Sequence, residues 1–569
     1  MWPWATSSRL TDGVGVLSEE IFDYVIVGAG SAGCVLADRL TEDGAHTVLL
    51  LEYGGSDQSV FIQMPSALSI PMNMKKFNWG YHTEAEPHLG GRSLHTPRGK
   101  VLGGSSSING MVFVRGNAMD FERWEEEGAT GWGYSQVLPY FRRAEKRAAG
   151  GDEYRGGAGK LEVRYGTLSN PLHQAWLEAA SEAGYPRTSD INGFQQEGFG
   201  RLDMSVGHGR RCSTANAYLR PAMHRENLTV RTRALATRVL FSGRRTTGVC
   251  YRAGAGELSA HARREVILCG GPINSPQLLK LSGLGPAEEL RAHGITVIQD
   301  LPGVGENLQD HLEFYFQVAS KEPVTLYSVL NPFSKALIGA RWLLRKDGLG
   351  ATNHFETGGF IRSGVGVRYA DIQYHFLPAA VSYDGSSLVK EHGYQAHVGP
   401  MRSKSRGWVR LASANPLDPP RIFFNYMSHE EDWVQMRACV RLTREIFAQR
   451  AFDRYRGREI QPGAQVQSDA EIDAFIRAQV QTAYHPSCSC KMGRQHDPLA
   501  VVDPQTRVIG VAGLRVVDSS IMPSVTTGNL NAPTIMIAEK ASDHILGRPM
   551  LPASDAPYFV APDWRNAQR

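Results

Sequence analysis

The sequence has few cysteines, no long apolar run and no strong excess of either charge. Its 569 residues include seven cysteines, whose odd number and irregular spacing are typical of reduced thiols in an intracellular protein. Cys488 and Cys490 form a C-x-C motif without a second pair nearby, which favours buried thiols over a zinc site, so no metal is expected. No run of about 18 apolar residues is present, and the sequence therefore predicts no membrane-spanning helix.

Basic clusters and targeting signals are scarce too. The formal net charge is +4, and no block of Lys and Arg is interleaved with aromatic residues, so a nucleic acid is not expected as a partner. Residues 1–20 hold two Trp, one Arg and three acidic residues. This segment lacks the apolar core of a signal peptide and is a poor match to an Arg-rich transit peptide, although the remnant of one stays an alternative.

A strand followed by a glycine-rich turn predicts a dinucleotide site near the N-terminus. Residues 23–27 predict a short strand, Gly28, Gly30 and Gly33 have the spacing G-x-G-x-x-G, and residues 31–41 predict a helix. In this arrangement the first glycine permits a tight turn, the second lets a pyrophosphate approach the backbone, and the third lets helix and strand pack closely. The helix N-terminus then presents unpaired N–H groups to the phosphates.

The next predicted strand ends in an acidic residue. Residues 47–51 predict this strand, and Glu52 follows at the position where a carboxylate accepts hydrogen bonds from ribose hydroxyls. Since 569 residues exceed what one hydrophobic core usually holds, two or more domains are expected. Residues 320–480 show a mixed strand and helix pattern without a nucleotide motif, which predicts that they belong to the second domain.

Later segments add a second loop and further elements. Residues 103–110 form a Gly/Ser loop that can present backbone N–H groups to a ligand. Residues 264–269 predict a buried strand that leads into a helix. Near the C-terminus, residues 514–518 predict a strand and residues 533–546 a helix, with Pro in its first turn and Gly547 after its end.

Five motifs resemble those of the glucose–methanol–choline (GMC) oxidoreductases and occur in family order. They are GKVLGGSSSINGMVFVRG (99–116), GGPINSPQLLKLSGLGP (270–286), LPGVGENLQDH (301–311), YHPSCSCKMG (484–493) and LRVVDSSIMPSVTTGNLNAPTIMIAEK (514–540). Within the family the resemblance is strongest to choline-oxidising members, because the stretches NGFQQEGFG (192–200), QYHFLP (373–378) and REIFAQ (444–449) also match them.

The resemblance implies an α/β fold with two domains. A Rossmann-like FAD-binding domain is expected beside an α+β substrate-binding domain that is built on an antiparallel sheet. The expected ranges are 20–165, 215–315 and 485–550 for the discontinuous FAD-binding domain, 166–214 and 316–484 for the substrate-binding domain, and 1–19 and 551–569 for the terminal extensions.

FAD is the cofactor that the resemblance implies. The residues expected to bind it are Gly28, Gly30, Ser31, Gly33, Glu52, Arg98, Gly103, Gly104, Ser105, Asn109, Val239, Asp518 and Asn531. By resemblance, Glu52 holds the adenosine ribose, Val239 contacts adenine through its backbone, and Asp518 lies near the ribityl chain. Ile108 stands where some relatives carry a His that bonds to the flavin, so non-covalent FAD is expected. Tyr53 replaces the usual Ala after Glu52 and either crowds or covers the adenine side.

The resemblance also assigns the chemistry of alcohol oxidation. His485 matches the family's base, and a neutral imidazole, whose ordinary pKa is about 6.5, suits acceptance of the hydroxyl proton. Asn529 matches a second polar residue that would hold the alcohol oxygen, with Asn531 as the rival assignment. The helix that begins near Pro533 would direct its N-terminus at the flavin pyrimidine and stabilise the anion formed on reduction.

Choline is the substrate that the resemblance implies. Glu313 matches the acid that faces the trimethylammonium head in choline-oxidising relatives, and Tyr484 matches an aromatic residue of the same cage. A surface salt bridge is the alternative for Glu313. Phe355, Tyr374 and Phe376 are candidates for additional walls of the cage.

The expected reaction is the oxidation of choline to betaine aldehyde, with further oxidation to betaine left open. Electrons would pass to a quinone of a respiratory chain or to another acceptor. The alternatives are an oxidase or dehydrogenase of another primary alcohol, and a lyase of the same fold that uses FAD only structurally. An intracellular location is expected: mitochondrial and associated with the inner membrane in a eukaryote, or cytoplasmic or peripherally membrane-associated in a bacterium.

Overall fold

A computed structural model describes residues 20–254, 256–382 and 390–569, and two large β-sheets organise them. The strands of these sheets are, in chain order, β1 (Glu20–Val27), β2 (Val48–Glu52), β3 (Gly198–Arg201), β4 (Leu228–Thr232), β5 (Ala234–Ser242), β6 (Arg245–Ala253), β7 (Gly256–Leu268), β8 (Leu312–Ser320), β9 (Thr357–Ile361), β10 (Ile372–Leu377), β11 (Gly393–Pro400), β12 (Arg456–Gln461), β13 (Gln481–Thr482) and β14 (Leu514–Val516). The longer helices of the described residues are α1 (Ser31–Thr41), α2 (Ala118–Glu126), α3 (Tyr134–Ala144), α4 (Pro171–Glu182), α5 (Gly271–Leu281), α6 (Pro332–Arg345), α7 (Glu430–Phe447), α8 (Asp469–Gln479) and α9 (Asn531–Leu546).

The first sheet is mostly parallel and has the strand order β4-β2-β1-β7-β6-β5, with β14 paired to the end of β7. Only β5 and β6 are antiparallel to their neighbours. All five residues of β2 are buried, as expected of a parallel strand that is covered on both faces. The predicted strand–turn–helix–strand unit is therefore confirmed, and α1 spans the residues that the sequence predicts.

Glycines make the close approach of α1 to β1 possible. Gly28 has a φ of +100°, in the region of backbone conformations that favours glycine. A Cβ on Gly33 would lie 1.9 Å from the carbonyl oxygen of Gly28, so no larger residue could be accommodated there. These two residues thus have the structural roles that the G-x-G-x-x-G spacing predicts.

The second sheet is antiparallel and has the order β12-β8-β11-β10-β9-β3, with β13 paired to the start of β8. Because side chains alternate between the faces of a strand, each face has its own character. Phe314 and Phe316 of β8 belong to an apolar core that α4 and α7 also supply, whereas Glu313, His375 and His397 lie on the opposite face. This sheet confirms the expected α/β fold with an antiparallel second sheet.

Each strand of the two large sheets lies within a single predicted domain range, with one exception. Strand β8 crosses the bound that was placed at residue 315, and the bounds as a whole stay a prediction. The predicted extension 1–19 lies outside the described residues. The extension 551–569 packs on the body of the protein, since the Leu551 N–H donates to Tyr140 Oη (3.0 Å) and Arg362 Nη1 donates to the Ala567 carbonyl (2.7 Å).

The described residues also show whether a helix could span a membrane and how the cysteines are placed. No helix in 20–254, 256–382 or 390–569 combines the length and the apolarity needed to cross a bilayer. All seven cysteines are buried free thiols. Burial raises the pKa of the thiols of Cys34 and Cys488 to about 12, so these side chains act as small apolar residues of the core.

Candidate active site

Most of the predicted site residues line one cavity of about 300 Å³. It lies where the carboxyl ends of β1, β2 and β7 meet the polar face of the second sheet, which is where ligands of open α/β sheets usually bind. The predicted residues on its wall are Gly28, Gly30, Ser31, Glu52, Arg98, Gly104, Ser105, Asn109, Glu313, Tyr484, His485, Asp518, Asn529 and Asn531.

Three predicted cofactor residues lie behind the wall instead. Gly33 packs against Gly28, and the Gly103 N–H donates to the Ala29 carbonyl (2.7 Å), so both support the loops that line the cavity. Val239 is a correction, because its N–H donates to Ser282 Oγ (2.9 Å) and it does not reach the cavity.

Strand β5 contributes to the wall through its first residues. Ala234, Leu235 and Ala236 line the cavity, and the pairing of β5 with β6 shifts register between Ala236 and Arg238. Such an irregularity turns the rest of the strand away. The backbone near Ala236, rather than that of Val239, is therefore placed to contact an adenine.

Two glycine loops form a cradle at the nucleotide end. A Cβ on Gly104 would lie 2.7 Å from the Cα of Gly30, so the loops touch at these residues. A Cβ on Gly271 would meet no atom within 4 Å, and one on Gly30 only a single atom at 3.8 Å, so side chains there would occupy the cavity. Gly30 caps α1 without a side-chain hydrogen bond. The free N–H groups of the first helical turn and the space beside them fit a pyrophosphate.

Glu52 is the acidic group at the same end. Its Oε2 accepts from the Ala29 N–H (2.9 Å) and its Oε1 from the Gly54 N–H (2.7 Å). Burial raises the pKa of this carboxyl to about 7. Each oxygen keeps a lone pair for a ribose hydroxyl, so the orientation fits the predicted role. The neighbouring Tyr53 packs its ring against Trp79 (centroids 5.1 Å apart), and both residues line the cavity as a cover.

Polar side chains farther along the wall are held in defined orientations. Asn531 Oδ1 accepts from Ser31 Oγ (2.8 Å), which joins the first turn of α9 to that of α1. Asp518 Oδ2 accepts from the Gly271 N–H (2.9 Å) and from Ser275 Oγ (2.7 Å). Burial raises the pKa of Asp518. These contacts hold the carboxylate of Asp518, which is predicted to lie near the ribityl chain, at the N-terminus of α5.

His485 and Asn529 lie side by side at the other end of the cavity. The amide nitrogen of Asn529 is 3.1 Å from His485 Nε2, and its Oδ1 accepts from Gln373 Nε2 (3.1 Å). The rival Asn531 is instead bonded to Ser31. The geometry therefore favours Asn529 as the polar partner of the imidazole.

His311 determines the tautomer of His485. His311 Nε2 lies 3.0 Å from the Met401 carbonyl, which can only accept, so this nitrogen carries a proton. In a neutral ring Nδ1 of His311 is then an acceptor, and the His485 Nδ1, 3.1 Å away, must donate to it. The lone pair of His485 is thereby left on Nε2, which faces Asn529 and the cavity.

The charge state of His485 follows from its surroundings. Burial lowers the pKa of this imidazole well below its ordinary value of 6.5, and the neighbouring His311, His375 and Arg98 lower it further. Burial likewise lowers the pKa of His311 to about 4. Both rings are therefore neutral at pH 7, as a proton acceptor requires.

Asp310 and Arg98 hold the segment that carries His485. The backbone N–H of His485 donates to Asp310 Oδ1 (2.7 Å), and the hydroxyls of Tyr426 and Thr482 donate to Asp310 Oδ2. Arg98 Nη2 donates to the carbonyl of Tyr484 (2.7 Å). Tyr484 has a φ of +65°, a conformation that costs energy for a residue with a Cβ, and these bonds stabilise it.

Glu313 lies on the polar face of β8 and is only 7% exposed. Its Oε1 lies 3.0 Å from His397 Nδ1, so its partner is an imidazole and the alternative of a surface salt bridge is excluded. Phe355 also lines the cavity and packs edge-on against His397 (centroids 5.3 Å apart). Glu313 and Phe355 thus both contact His397, and Tyr484 lines the same cavity.

Two of the three candidate cage residues are wrong. Tyr374 and Phe376 point to the other face of β10, where their ring centroids lie 5.7 Å and 5.2 Å from that of Trp176. Strand alternation explains the error, because Gln373 and His375 occupy the positions that face the cavity.

Sequence reasoning missed several polar residues of the site. Asp310 and His311 fall in the motif at 301–311, which was matched without assigning a role to either side chain. His375 and His397 lie on β10 and β11, and burial lowers the pKa of His375 to about 4. No sequence signal marks His397, because its contact with Glu313 depends on the pairing of β8 with β11.

Comparisons with known proteins agree with this architecture. Two family models described as GMC oxidoreductase match residues 22–313 and 403–538. An oxygen-dependent choline dehydrogenase from Brucella anthropi is 58% identical over 547 residues, which cover 96% of this chain and 100% of that protein. One of the same name from Photobacterium profundum is 56% identical over 550 residues, which cover 96% of this chain and 97% of the relative.

Solved structures share the fold over nearly the whole chain. Pyridoxine 4-oxidase from Mesorbium loti superposes with a TM-score of 0.84 at 31% identity and covers 93% of this chain and 99% of its own. A formate oxidase gives a TM-score of 0.87 at 26% identity, with 93% and 98% covered. Both are oxidases by name, and both share the fold of this protein over nearly its whole length.

Proposed function

Because the chain belongs to the GMC oxidoreductase family, we propose that it oxidises choline to betaine aldehyde with FAD as the cofactor. One observation carries the choice of substrate. The buried carboxylate of Glu313 and the rings of Phe355 and Tyr484 line the same cavity as the pair formed by His485 and Asn529. A cationic head group and a reactive hydroxyl can therefore be held at once.

The residues that line the cavity fit the pyrophosphate and the ribose of FAD. The cradle of Gly30, Gly104 and Gly271 accommodates the pyrophosphate, and Glu52 receives the ribose hydroxyls. Bound FAD supplies the acceptor for the hydride that leaves the alcohol carbon. Ile108 is buried on the wall and offers no nucleophile, which supports the proposal of a non-covalent cofactor.

His485 accepts the hydroxyl proton in this proposal. Its Nε2 lone pair is directed into the site by His311, and the imidazole is neutral at pH 7. In the structure the Asn529 amide donates to the lone pair of His485 Nε2 (3.1 Å). When an alcohol takes this place at His485, the amide can donate to the alcohol oxygen while Gln373 holds the amide by its Oδ1. A negative charge that develops on this oxygen is stabilised by the donor without a change in protonation of Asn529.

Glu313 selects the cation. A trimethylammonium group donates no hydrogen bond, so aromatic faces and a carboxylate are what recognise it. Because the carboxylate is buried and the apolar ring of Phe355 lines the same cavity, the attraction is screened little by water. A neutral primary alcohol would gain nothing from this charge. The carboxylate therefore favours choline over the alternative of another primary alcohol. The lyase alternative makes no use of a cation site at all.

Two alternatives are proposed for the acceptor that takes the electrons from FAD. A quinone or another acceptor was expected from the resemblance, and the names of both Brucella anthropi and Photobacterium profundum relatives include oxygen dependence. Oxygen uptake of the purified enzyme, compared with reduction of a soluble quinone, separates these forms. Either result leaves the oxidation of choline unaffected.

Anaerobic addition of choline to the purified holoenzyme tests the proposal. The yellow flavin absorbance should bleach, with betaine aldehyde formed in equal amount. 3,3-Dimethylbutan-1-ol, which has the shape of choline without its charge, is the matched control and should bleach the flavin only at much higher concentration. Bleaching by the neutral alcohol at equal or lower concentration would refute choline as the substrate, and no bleaching by any alcohol would refute the oxidation itself.

A further inference from the structure

A chain of buried polar side chains runs from Glu313 into the second sheet. Strands β8 and β11 pair so that His397 lies opposite Tyr315 and Gln395 lies opposite Gln317. Because Gln395 and His397 are two positions apart on β11, they share the polar face of the sheet. Glu313 and His397 line the cavity, whereas Gln395 is fully buried behind them. Gln395 is thus one residue removed from the site.

The backbone of Val381 fixes the orientation of the Gln395 amide. The Val381 N–H donates to Gln395 Oε1 (2.9 Å), and Gln395 Nε2 donates to the Val381 carbonyl (3.1 Å). A backbone N–H only donates and a backbone carbonyl only accepts, so the amide cannot be turned over without losing both bonds. The amide nitrogen of Gln395 therefore faces His397.

This orientation determines the protonation of His397. Gln395 Nε2 lies 2.7 Å from His397 Nε2 and, as an amide nitrogen, can only donate to it. Nε2 of the imidazole is then an acceptor without a proton, so the neutral ring carries its proton on Nδ1. This N–H donates to Glu313 Oε1, 3.0 Å away. A donor to a carboxylate favours its ionised form.

The occupied nitrogen matters for the charge that a substrate meets. If Nε2 also carried a proton, His397 would be an imidazolium, and its ion pair with Glu313 would present no net charge to the cavity. With a donor on Nε2, the pair carries one negative charge. A buried charge without a counterion is costly, so a cationic head group that compensates this charge gains affinity.

We propose that Gln395 is a positioning residue that determines substrate preference, because it prevents a second proton on His397 and so reserves the charge of Glu313 for a cationic alcohol. The inference rests on the proposed function, since it takes choline as the substrate. Gln395 acts through His397 and does not itself line the cavity.

The other titratable neighbours of His397 lie on the adjacent strands. Among the described residues, Glu313 and Tyr315 of β8 face it, the latter with ring centroids 4.3 Å apart. His375 lies opposite His397 on β10. Burial lowers the pKa of His375 to about 4, so this ring is neutral above about pH 6 and adds no charge to the pair.

The pH dependence of choline binding tests this inference. The dissociation constants of choline and of 3,3-dimethylbutan-1-ol are obtained from anaerobic flavin reduction in the holoenzyme, at about pH 8.5 and about pH 6. In the wild type the ratio of the two constants should be nearly the same at both pH values. In Gln395→Met the donor is lost and the imidazole can take a second proton in mild acid. Choline should then bind roughly tenfold more weakly at the lower pH, relative to the neutral alcohol.

A second substitution shows whether His397 is the group that titrates. His397→Asn keeps an amide donor near the position of Nδ1 but cannot take a second proton. The double variant Gln395→Met/His397→Asn should therefore lose the pH dependence of Gln395→Met. Gln435→Met is the matched control, because Gln435 is also buried but its amide donates to Asp371, and it should follow the wild type. FAD absorbance shows that each variant is folded.

The inference is overturned if Gln395→Met shows no change of the ratio with pH, if the change persists in the double variant, or if both alcohols weaken equally. Should Gln395→Met fail to fold, the wild type and His397→Asn decide. Equal pH dependence of the ratio in these two enzymes would support the inference, and a rise toward pH 6 in the wild type alone would overturn it. A wild-type flavin that choline does not reduce would refute the proposed function, and this inference with it.

Discussion

The imidazoles of His311 and His485 face each other through their Nδ1 atoms at 3.1 Å. Because the Met401 carbonyl occupies the far nitrogen of His311, protons can be arranged along this chain in only one way while both rings are neutral. His311 is thus a positioning residue, which acts on the reaction through the tautomer of His485. This arrangement separates what the two histidines contribute and allows each to be tested.

Replacement of His485 should abolish proton acceptance and leave the cofactor bound. We expect His485→Ala to keep its FAD absorbance and to lose roughly 10²–10⁴-fold in the rate of flavin reduction, the range typical of removing a general base. Stopped-flow reduction under anaerobic conditions measures this. His429→Ala, at an exposed histidine that caps α7, is the control; a near-normal rate in His485→Ala would remove this residue from the mechanism.

Replacement of His311 should have a smaller effect with a different signature. We expect His311→Leu to slow flavin reduction by less than the roughly 10²–10⁴-fold of a lost base and to change the pH profile of the rate, because the tautomer is no longer imposed. His311→Asn keeps an acceptor near the position of Nδ1 and should restore part of the rate. Equal rates and identical pH profiles in both variants would contradict a role in positioning.

Replacement of Glu313 should weaken the binding of cations selectively. Glu313→Gln keeps the side-chain volume and removes the charge, so we expect choline binding to weaken by roughly 10- to 1,000-fold, as fits the loss of a partly buried ion pair. Titration with 3,3-dimethylbutan-1-ol should change far less. A general folding defect would affect both ligands, and equal losses would contradict the assignment of the head-group site.

The link between protein and flavin should be non-covalent. Ile108 occupies the buried position at which a nucleophilic side chain would be needed. Acid precipitation of the pure protein should release the yellow colour into the supernatant, where its spectrum can be recorded. Colour that stays with the pellet would show a covalent bond and refute the argument from Ile108.

Buried histidines should make stability depend on acid pH in a residue-specific way. Burial lowers the pKa of His173 from 6.5 to about 3, so between these values the unfolded chain binds the extra proton and the folded state is destabilised as the pH falls. The contribution is about 1.4 kcal/mol per pH unit. We expect His173→Asn, which can still accept from Thr357 Oγ1, to lose less stability between pH 7 and 5 than the wild type does.

Urea unfolding at both pH values measures this difference. Gln174→Ala, at an exposed neighbouring residue of α4, should follow the wild type. A His173→Asn curve that shifts with pH as much as the wild-type curve would show that His173 is protonated equally in the folded and unfolded chains.

Local signals predicted the nucleotide half of the structure well. The spacing of Gly28, Gly30 and Gly33 requires a turn of one geometry, and the bounds of α1 follow from it. The C-terminal helix was predicted from residue 533, whereas α9 begins at Asn531, a difference within the usual uncertainty of helix ends. These features depend on neighbours in sequence, and so the sequence alone is sufficient for them.

Features that depend on strand pairing could not be predicted. Val239 and Ala236 differ by three positions on one strand, and only the irregularity near Arg238 decides which of them reaches the cavity. In the same way, Glu313 and His397 meet because β8 pairs with β11 in one register. A motif states which residue types are present but does not determine such registers.

The hydrogen bond between Ser31 and Asn531 joins residues that are 500 positions apart. Arg39 and Glu539 repeat the connection about two turns farther along α1 and α9. During synthesis the ribosome therefore releases the glycine turn long before it releases the helix that completes the turn's surroundings. An N-terminal fragment without α9 lacks Asn531, which lines the cavity, and we expect it to bind FAD less tightly than the full chain. A nonsense mutation just before Asn531, close to the end of the coding sequence, would remove α9 and should lower the FAD content of the product.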